Sequence, residues 1–283
     1  MPGKNRASLE QVRGFFARMM AAASGSDDPR IERALELVRR EAFLGPGPWH
    51  ISVNRRTVET PSADPVFLYQ NVLVRLDTAK GINNGEPFLH AAWIGAVEPK
   101  AGDAICHIGA GTGYYSAILA VLALPGGSVN AFEIDAALAR RARQNLQPFD
   151  NVSVIVGDAT RLPLPPSDLI YVNAGVIAPP AGWLRALRPR GRMIFPWRPT
   201  ELVGLAVVIS RTGSGFNAKP LMPSWFIPCV GASDAEESRK IPEMREAWST
   251  RSVWLTSDRE PDETAVAIYR ELWFSSAELP ADA

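Results

Sequence analysis

Three glycines at alternate positions, Gly109, Gly111 and Gly113, follow the apolar run Ala104-Ile105-Cys106-His107-Ile108 and lead into Tyr114-Tyr115-Ser116-Ala117-Ile118-Leu119. Glycine lets a backbone turn tightly and approach a ligand that a side chain would block. A strand, a glycine loop and a helix in that order form a cradle for a nucleotide-type cofactor. Two carboxylates fall where such a cofactor needs acceptors. Glu133 ends the run Val129-Asn130-Ala131-Phe132, about twenty residues after the glycines, the interval at which an acid accepts from ribose hydroxyls. Asp158, followed by Ala159, comes after the run 152–156 and Gly157. A second reading of Glu133 stands beside the first, in which it caps a helix starting near Asp135.

A dinucleotide fingerprint wants its glycines as G-x-G-x-x-G, and the third would fall at Tyr114. The spacing present, G-x-G-x-G, resembles the first motif of class I S-adenosylmethionine (SAM) methyltransferases. Under that resemblance Asp158 matches the acid that accepts from the adenine amino group, and Tyr114 packs on the cofactor. His107 stands near the cofactor where those enzymes commonly carry an acid. Its other reading is a satisfied polar group beneath the loop. SAM is therefore the implied cofactor, and His107, Gly109, Gly111, Gly113, Tyr114, Glu133, Asp158 and Ala159 are the residues expected to bind it.

The elements that must hold these residues alternate. Helices are expected over 8–23 and 30–42, extended or irregular chain over 51–60 and 66–76, a loop over 77–87 and a helix over 88–97. Then come strand 103–108, helix 113–123, strand 128–133, helix 135–146, strands 152–156 and 168–172, helix 180–187 and strand 191–195. Alternation of this kind builds a parallel sheet covered on both faces. Leu202–Ile209 and 224–230 read as a closing antiparallel hairpin. The segment 233–250 is charged and reads as surface. The tail from Ser252 fits two patterns, since Val266, Tyr269 and Trp273 share a helical face while short β-branched and aromatic runs suit strands.

With 283 residues and 46% hydrophobic content, the chain can bury a full core as one unit with appendages. The expected division is a helical cap with the substrate loop (1–100), a cofactor-binding core (101–231) and a C-terminal appendage that is not a separate domain (232–283). Thirty basic and thirty acidic residues cancel, so no global field draws nucleic acid or an anionic membrane. Arg185, Arg188, Arg190, Arg192 and Arg198 cluster locally, as cations do around a helix C-terminus. Neither Cys106 and Cys229 nor His50, His90 and His107 are spaced as metal ligands, and no metal is expected. Lys4, Arg6 and Arg13 precede a short apolar stretch that faintly suggests a leader. Arg18 interrupts it, and Leu9, Val12, Phe16 and Met19 recur at helical spacing, so an amphipathic helix is expected. No run approaches a membrane span. A reducing cytoplasm is the expected location.

Over roughly residues 30–230 the chain resembles protein-L-isoaspartate O-methyltransferases. The resemblance rests on Arg33-Ala34-Leu35-Glu36-Leu37-Val38-Arg39-Arg40-Glu41-Ala42-Phe43, on the glycine-bearing loop ending Glu86-Pro87, and on Pro223-Ser224-Trp225-Phe226-Ile227-Pro228-Cys229-Val230. It implies a Rossmann-like class I methyltransferase, α/β with a mostly parallel doubly wound sheet and a C-terminal antiparallel hairpin. The implied activity is SAM-dependent O-methylation of a carboxylate on a protein, peptide or small molecule. The substrate loop departs from the family. Where members usually carry Gln-Thr-hydrophobic-Ser, this chain has Ile82, Asn83, Asn84 and Gly85, so the serine position is Gly85. Asn173-Ala174-Gly175 stands where a Thr-Ala-Ala type sequence is common.

A carboxylate is already a nucleophile at neutral pH, so proximity and desolvation suffice without a general base. Asn83 and Asn84 are the candidate donors to the acceptor carboxylate, with a plain turn as the other reading. Asn173, at a strand end facing the crevice, is the third candidate catalytic residue. Lys80 is either an attractor of an acidic acceptor or a solvated loop lysine. An amine or hydroxyl acceptor would need a base, for which Tyr69, Tyr114 and His107 are the candidates. Two alternatives remain open at the level of sequence. One is a methyltransferase of RNA or a small molecule, which predicts the arginine cluster at the cofactor cleft. The other is a SAM-binding protein without catalysis.

Overall fold

The structure is a computed structural model that describes residues 7–53, 56–234 and 238–280. Lys4 and Arg6 lie outside the described residues, as does part of the charged 233–250 segment. Helix α1 (Leu9–Ser24) opens on a reciprocal cap, in which Ser8 Oγ accepts from Gln11 N and Gln11 Oε1 accepts from Ser8 N. It stops at Gly25 in left-handed backbone and buries Phe16, Ala17 and Met20. Helix α2 (Pro29–Leu37) enters through Asp28, whose Oδ1 accepts from Arg30 N at 2.9 Å. The sequence pattern carries this helix to 42. The structure instead turns extended at Val38 and resumes as a 3-10 turn over Arg40–Phe43. That break sends Arg40 inward, where its guanidinium donates to the carbonyls of Leu68, Gln70 and Val72.

Strands β1 (His50–Val53), β2 (Arg56–Glu59), β3 (Leu73–Asp77) and β4 (Ile82–Asn83) form a small antiparallel sheet in the order β2-β1-β3-β4. The stretch 66–76, expected to be extended or irregular, opens within a 3-10 turn, Pro65–Leu68, that Asp64 caps. Helix α3 (Pro87–Val97) starts with proline at its first position and ends at Glu98 in left-handed backbone. Its sequence is apolar all round except for His90, and it is buried on most sides. Gly95 is where α3 meets the end of α1. A Cβ there would collide with the Ser24 carbonyl oxygen and lie 2.9 Å from its carbon. Gly95→Ala gains about 1 kcal/mol of helix propensity, but overpacking against backbone costs about 1–3 kcal/mol or more. A net loss of about 2 kcal/mol is expected, read as a lower midpoint in urea.

The large sheet is built from β5 (Ala104–Ile108), β6 (Ser128–Glu133), β7 (Val152–Val156), β8 (Ser167–Val172), β9 (Leu187–Trp197), β10 (Leu205–Arg211), β11 (Phe216–Pro223), β12 (Ser252–Leu255), β13 (Ala265–Ile268) and β14 (Leu272–Ser275). Helices α4 (Tyr114–Leu122), α5 (Ala136–Asn145), α6 (Ala181–Ala186) and α7 (Met244–Ala247) connect them. The ten strands lie in the order β13-β14-β12-β11-β10-β9-β8-β5-β6-β7. From β7 to β9 the pairing is parallel; beyond β9 it is antiparallel. The chain leaves β5 toward β6 and later returns to its other side with β8. That reversal opens a crevice at the carboxyl ends of the strands.

Strand alternation divides the core. Ile105, Leu169, Tyr171 and Ile194 face the side of α1 to α4, while Cys106, Ile170, Val172 and Phe195 pack with Trp183 of α6 and Val253, Leu272 and Phe274 of the last strands. The fold is the expected doubly wound α/β class, with an antiparallel part larger than a hairpin. One further detail differs from the sequence reading, and one open alternative is decided. The second hairpin strand is β11, not 224–230; that segment is irregular, tied by Gly175 N to Ile227 O and by Cys229 N to Gly175 O, each at 2.7 Å. Pro228 removes a ladder donor from it. The tail is strand, since Trp273 and Phe274 pair across to Trp254 and Val253 and leave no helical face.

Candidate cofactor and acceptor site

A cavity of about 860 Å³ opens in that crevice, within the range of about 300–1,000 Å³ usual for small-molecule sites. Its cofactor end is built by the glycine loop. Gly109, Gly111 and Gly113 have φ of 76°, 58° and 96°, a region closed to most side chains. The loop is drawn onto β6 by Gly109 N and Ala110 N, which both donate to Phe132 O at 3.0 Å. Glu133, at the end of β6, is buried; its Oε2 accepts from Gly111 N at 2.7 Å and its Oε1 from Asp135 N at 2.9 Å. The cap of α5 is Asp135, whose Oδ1 accepts from Ala137 N and Leu138 N. Glu133 is thus released from capping and presents its carboxylate to the cavity. Burial raises its pKa, against the backbone donors from Asp135 and Gly111 that lower it.

Asp158 Oδ1 accepts from Thr160 N at 2.9 Å and from Thr160 Oγ1 at 2.7 Å, which fixes the carboxylate at the cavity wall. Ala159 is anchored by Trp183 Nε1, which donates to its carbonyl at 3.0 Å. Tyr114 also lines the cavity, its hydroxyl buried and its pKa pushed up to about 12 by desolvation. Two expected cofactor residues do not line the cavity. Gly113 packs its Cα side on Leu146, where a Cβ would sit 2.7 Å from Cδ1, so it shapes the turn. His107 is fully buried behind the loop. Asn173 Nδ2 donates to His107 Nε2 at 2.8 Å, which leaves Nδ1–H to donate to Ser116 Oγ at 2.7 Å. Burial lowers its pKa to about 3, so the ring is neutral and orients Asn173.

The acceptor end lies under β4 and α3. Asn83 Oδ1 accepts from Gly85 N at 2.9 Å and closes a turn, which leaves its Nδ2 as a donor. Asn84 Oδ1 accepts from Val74 N at 2.9 Å and Arg40 Nη2 at 3.4 Å, so this residue ties the loop to β3. Its Nδ2 is buried without a partner. Arg40 is fully buried, and every oxygen it reaches is neutral. Burial lowers its pKa, yet a guanidinium remains charged in a protein. Lys80 pairs with Asp135 and, at 3.8 Å, with Asp77, so it latches the loop to α5.

The base candidates fail, two on geometry and Tyr114 on its protonation. Tyr69 donates to Glu41 and does not line the cavity. His107 is sealed, and the pKa of Tyr114 is moved the wrong way for a base at neutral pH. Of the arginine cluster, Arg198 alone lines the cavity; Arg188 pairs with Asp168 and Arg192 with Asp103 at the opposite end of the strands. The residues that sequence reasoning missed are His90, Tyr115, Phe226 and Arg40. For His90 a signal existed, as the polar residue in an otherwise apolar helix.

The model of the protein-L-isoaspartate(D-aspartate) O-methyltransferase family matches residues 51–234. The chain belongs to that family. A protein-L-isoaspartate O-methyltransferase of Ignicoccus hospitalis is 33% identical over 162 residues, which cover 54% of this chain and 77% of that protein. Another, from Geotalea uraniireducens, is 29% identical over 232 residues, covering 80% and 96%. Among solved structures, a protein-L-isoaspartate O-methyltransferase superposes with a TM-score of 0.67 at 20% identity, over 96% of this chain and 88% of that one. A beta-aspartate methyltransferase from Plasmodium falciparum, in complex with S-adenosyl-L-homocysteine, gives 0.61 at 17% identity, over 77% and 97%. The two superpositions establish the shared fold. Membership makes this a SAM-dependent O-methyltransferase acting on a carboxylate, with SAM as its methyl donor. The chain's own cradle fits such a cofactor, with a glycine loop in positive-φ backbone that no side chain obstructs at Gly109 and Gly111 and two fixed carboxylates at successive strand ends. Among the described residues no helix is long and apolar enough to cross a membrane, and no cluster could hold a metal ion.

Proposed function

We propose that the protein methylates the side-chain carboxylate of isoaspartyl residues in proteins or peptides, with Glu133, Asp158, Ala159, Tyr114 and the glycine loop holding SAM. The observation that carries the acceptor class is a set of buried polar atoms without partners: Asn84 Nδ2, His90 Nε2, and the hydroxyls of Tyr114 and Tyr115, all on residues lining one cavity. Such atoms are rare in folded proteins because each costs about 1–3 kcal/mol. These can all donate, and beside them lies a buried cation with no carboxylate of its own. An anionic acceptor satisfies these donors and supplies the cation's counter-charge, which a neutral amine lacks; Asn173 Oδ1, also unpaired on this wall, is the one acceptor-only atom among the cavity's unpaired atoms.

When bound, the cofactor supplies an already activated methyl group. The chain's work is to strip water from the carboxylate oxygen and hold it in line, which proximity alone can make worth several kcal/mol. Asn83 and Asn84 frame the acceptor, and Asn173 is held at the strand end by His107. In this reading 1–100 covers the acceptor, 101–231 holds the cofactor, and 232–283 extends the sheet edge without being a separate domain. The location of the arginine cluster speaks against RNA as the acceptor.

Transfer of labelled methyl from SAM to an isoaspartyl peptide, with the aspartyl peptide as control, tests the reading. Selective label that is released as methanol at mildly alkaline pH is the expected result, since that lability marks a methyl ester. A protein that binds SAM and labels neither peptide overturns it.

A further inference from the structure

The side of Gly85 facing the interior is filled by another residue. Its φ is 77°, and a Cβ there would overlap His90 Nε2 and lie 2.7 Å from Cδ2. The loop position where the family resemblance expects a serine hydroxyl therefore holds the edge of an imidazole, carried on α3. We propose that His90 binds the methyl acceptor, its Nε2–H donating a hydrogen bond to the acceptor carboxylate from the space a residue-85 side chain would otherwise fill. This rests on the carboxylate reading above and names the group that positions the carboxylate.

The ring is held rigidly for that role. It stacks on Tyr115 with centroids 3.7 Å apart and meets the edges of Trp93 and Phe226. Its Nδ1 lies 2.9 Å from Tyr171 Oη, and this bond decides the tautomer. If Tyr171 donates to Nδ1, the hydroxyl and Nδ1 are both satisfied and only Nε2–H remains unpaired. If Nδ1–H donates instead, the tyrosine proton and the bare Nε2 are both left unpaired inside the protein. The first arrangement strands one group rather than two, so Nε2 carries the proton. Burial, then His107 and Arg40, keep the ring neutral. Nε2 is thus a fully buried donor on a cavity-lining residue, with no protein partner. Trp93 Nε1 and Thr250 Oγ1 are also buried without partners but line no part of the cavity, whereas His90 does.

His90→Leu keeps the volume and removes the donor; His90→Gln restores an amide donor. For His90→Leu, kcat/KM toward the isoaspartyl peptide is expected to fall about 10–100-fold, the worth of a hydrogen bond to a charged group. His90→Gln is expected to recover part of that, and S-adenosyl-L-homocysteine affinity by calorimetry should stay at the wild-type value in both. Leucine variant kinetics equal to wild type overturn the inference. A second readout needs no variant to fold. In wild-type protein carrying ¹⁵N-histidine, adding isoaspartyl peptide with S-adenosyl-L-homocysteine should shift the His90 Nε2 resonance. Methylation by wild type with an unmoved Nε2 overturns the role of His90 and leaves the carboxylate reading standing. A moved Nε2 without methylation keeps His90 at the acceptor and overturns the isoaspartyl reading.

Discussion

Replacing Arg40 with methionine is expected to cost about 3–5 kcal/mol of stability and to damage acceptor use far more than cofactor binding. The guanidinium reaches four oxygens from one buried point. Two of them have second donors, since Gln70 O also accepts from Val72 N and Asn84 Oδ1 from Val74 N. The carbonyls of Leu68 and Val72 depend on Arg40. Methionine fills much of the volume and relieves the burial of a charge, which pulls the other way. The relief is smaller, because the net worth of a charge-assisted hydrogen bond, about 1.5–3 kcal/mol, already includes desolvation, and two such bonds have no replacement. The chain that loosens is 68–72 with Asn84, and of these Asn84 lines the acceptor end of the cavity. Urea denaturation reads the first effect; KM for the isoaspartyl peptide against calorimetric affinity for S-adenosyl-L-homocysteine reads the second. Arg40→Lys keeps the charge, yet a single ammonium cannot span the same carbonyls, so it should fall between the two. A methionine variant as stable as wild type would remove Arg40 from this account.

The cofactor end was legible in the sequence because its determinants are local. Gly109, Gly111 and Gly113 follow one strand directly, and Glu133 and Asp158 end the next two, so a strand-by-strand reading places them side by side. Sequence could not decide between capping and ligand roles for Glu133, because Asp135 is an equally good cap two residues on. The structure gives the cap to Asp135 and leaves Glu133 on the cavity wall, held by two backbone donors. The acceptor end was legible at 82–87, where the family resemblance marks the substrate loop; the resemblance also spans Arg40 and Phe226 but gives them no role. Arg40, His90, Tyr115 and Phe226 come from four separate parts of the chain, and each looks like ordinary core or helix surface in its own window. Their meeting is a tertiary fact. The break at Val38 has the same origin: nothing in residues 33–43 interrupts the helical pattern, and the bonds Arg40 makes to 68–72 compensate for it. In the tail, Val266, Tyr269 and Trp273 satisfy a helical period by chance over too short a span, and pairing with β12 decides for strand.

Glu133→Gln should weaken S-adenosyl-L-homocysteine binding by about 100-fold while leaving the fold intact, although the two side chains have the same shape. Both carboxylate oxygens of Glu133 accept backbone N–H groups, from Gly111 at 2.7 Å and from Asp135 at 2.9 Å. A glutamine has one acceptor and one donor end, so whichever way it turns, an NH2 faces an N–H. Either the Gly111 turn or the entry to α5 loses its anchor, and the negative charge that receives ribose hydroxyls in the proposed reading is gone as well. A pH series separates the charge from the shape. Burial raises the Glu133 pKa, so protonation is favoured by the fold. The stabilisation from this group is therefore full below the ordinary glutamate range and is lost as pH rises through the raised value. Holding it ionised at neutral pH is unfavourable to the empty protein and is offset by the cofactor's donors. Wild-type affinity should thus fall on the acid side as Glu133 takes up its proton, before exposed glutamates do. The glutamine variant should lack that limb and bind weakly at every pH. Affinity within about threefold of wild type would mean that Glu133 only shapes the loop, since the loss of one charge-assisted bond to ligand already exceeds that factor.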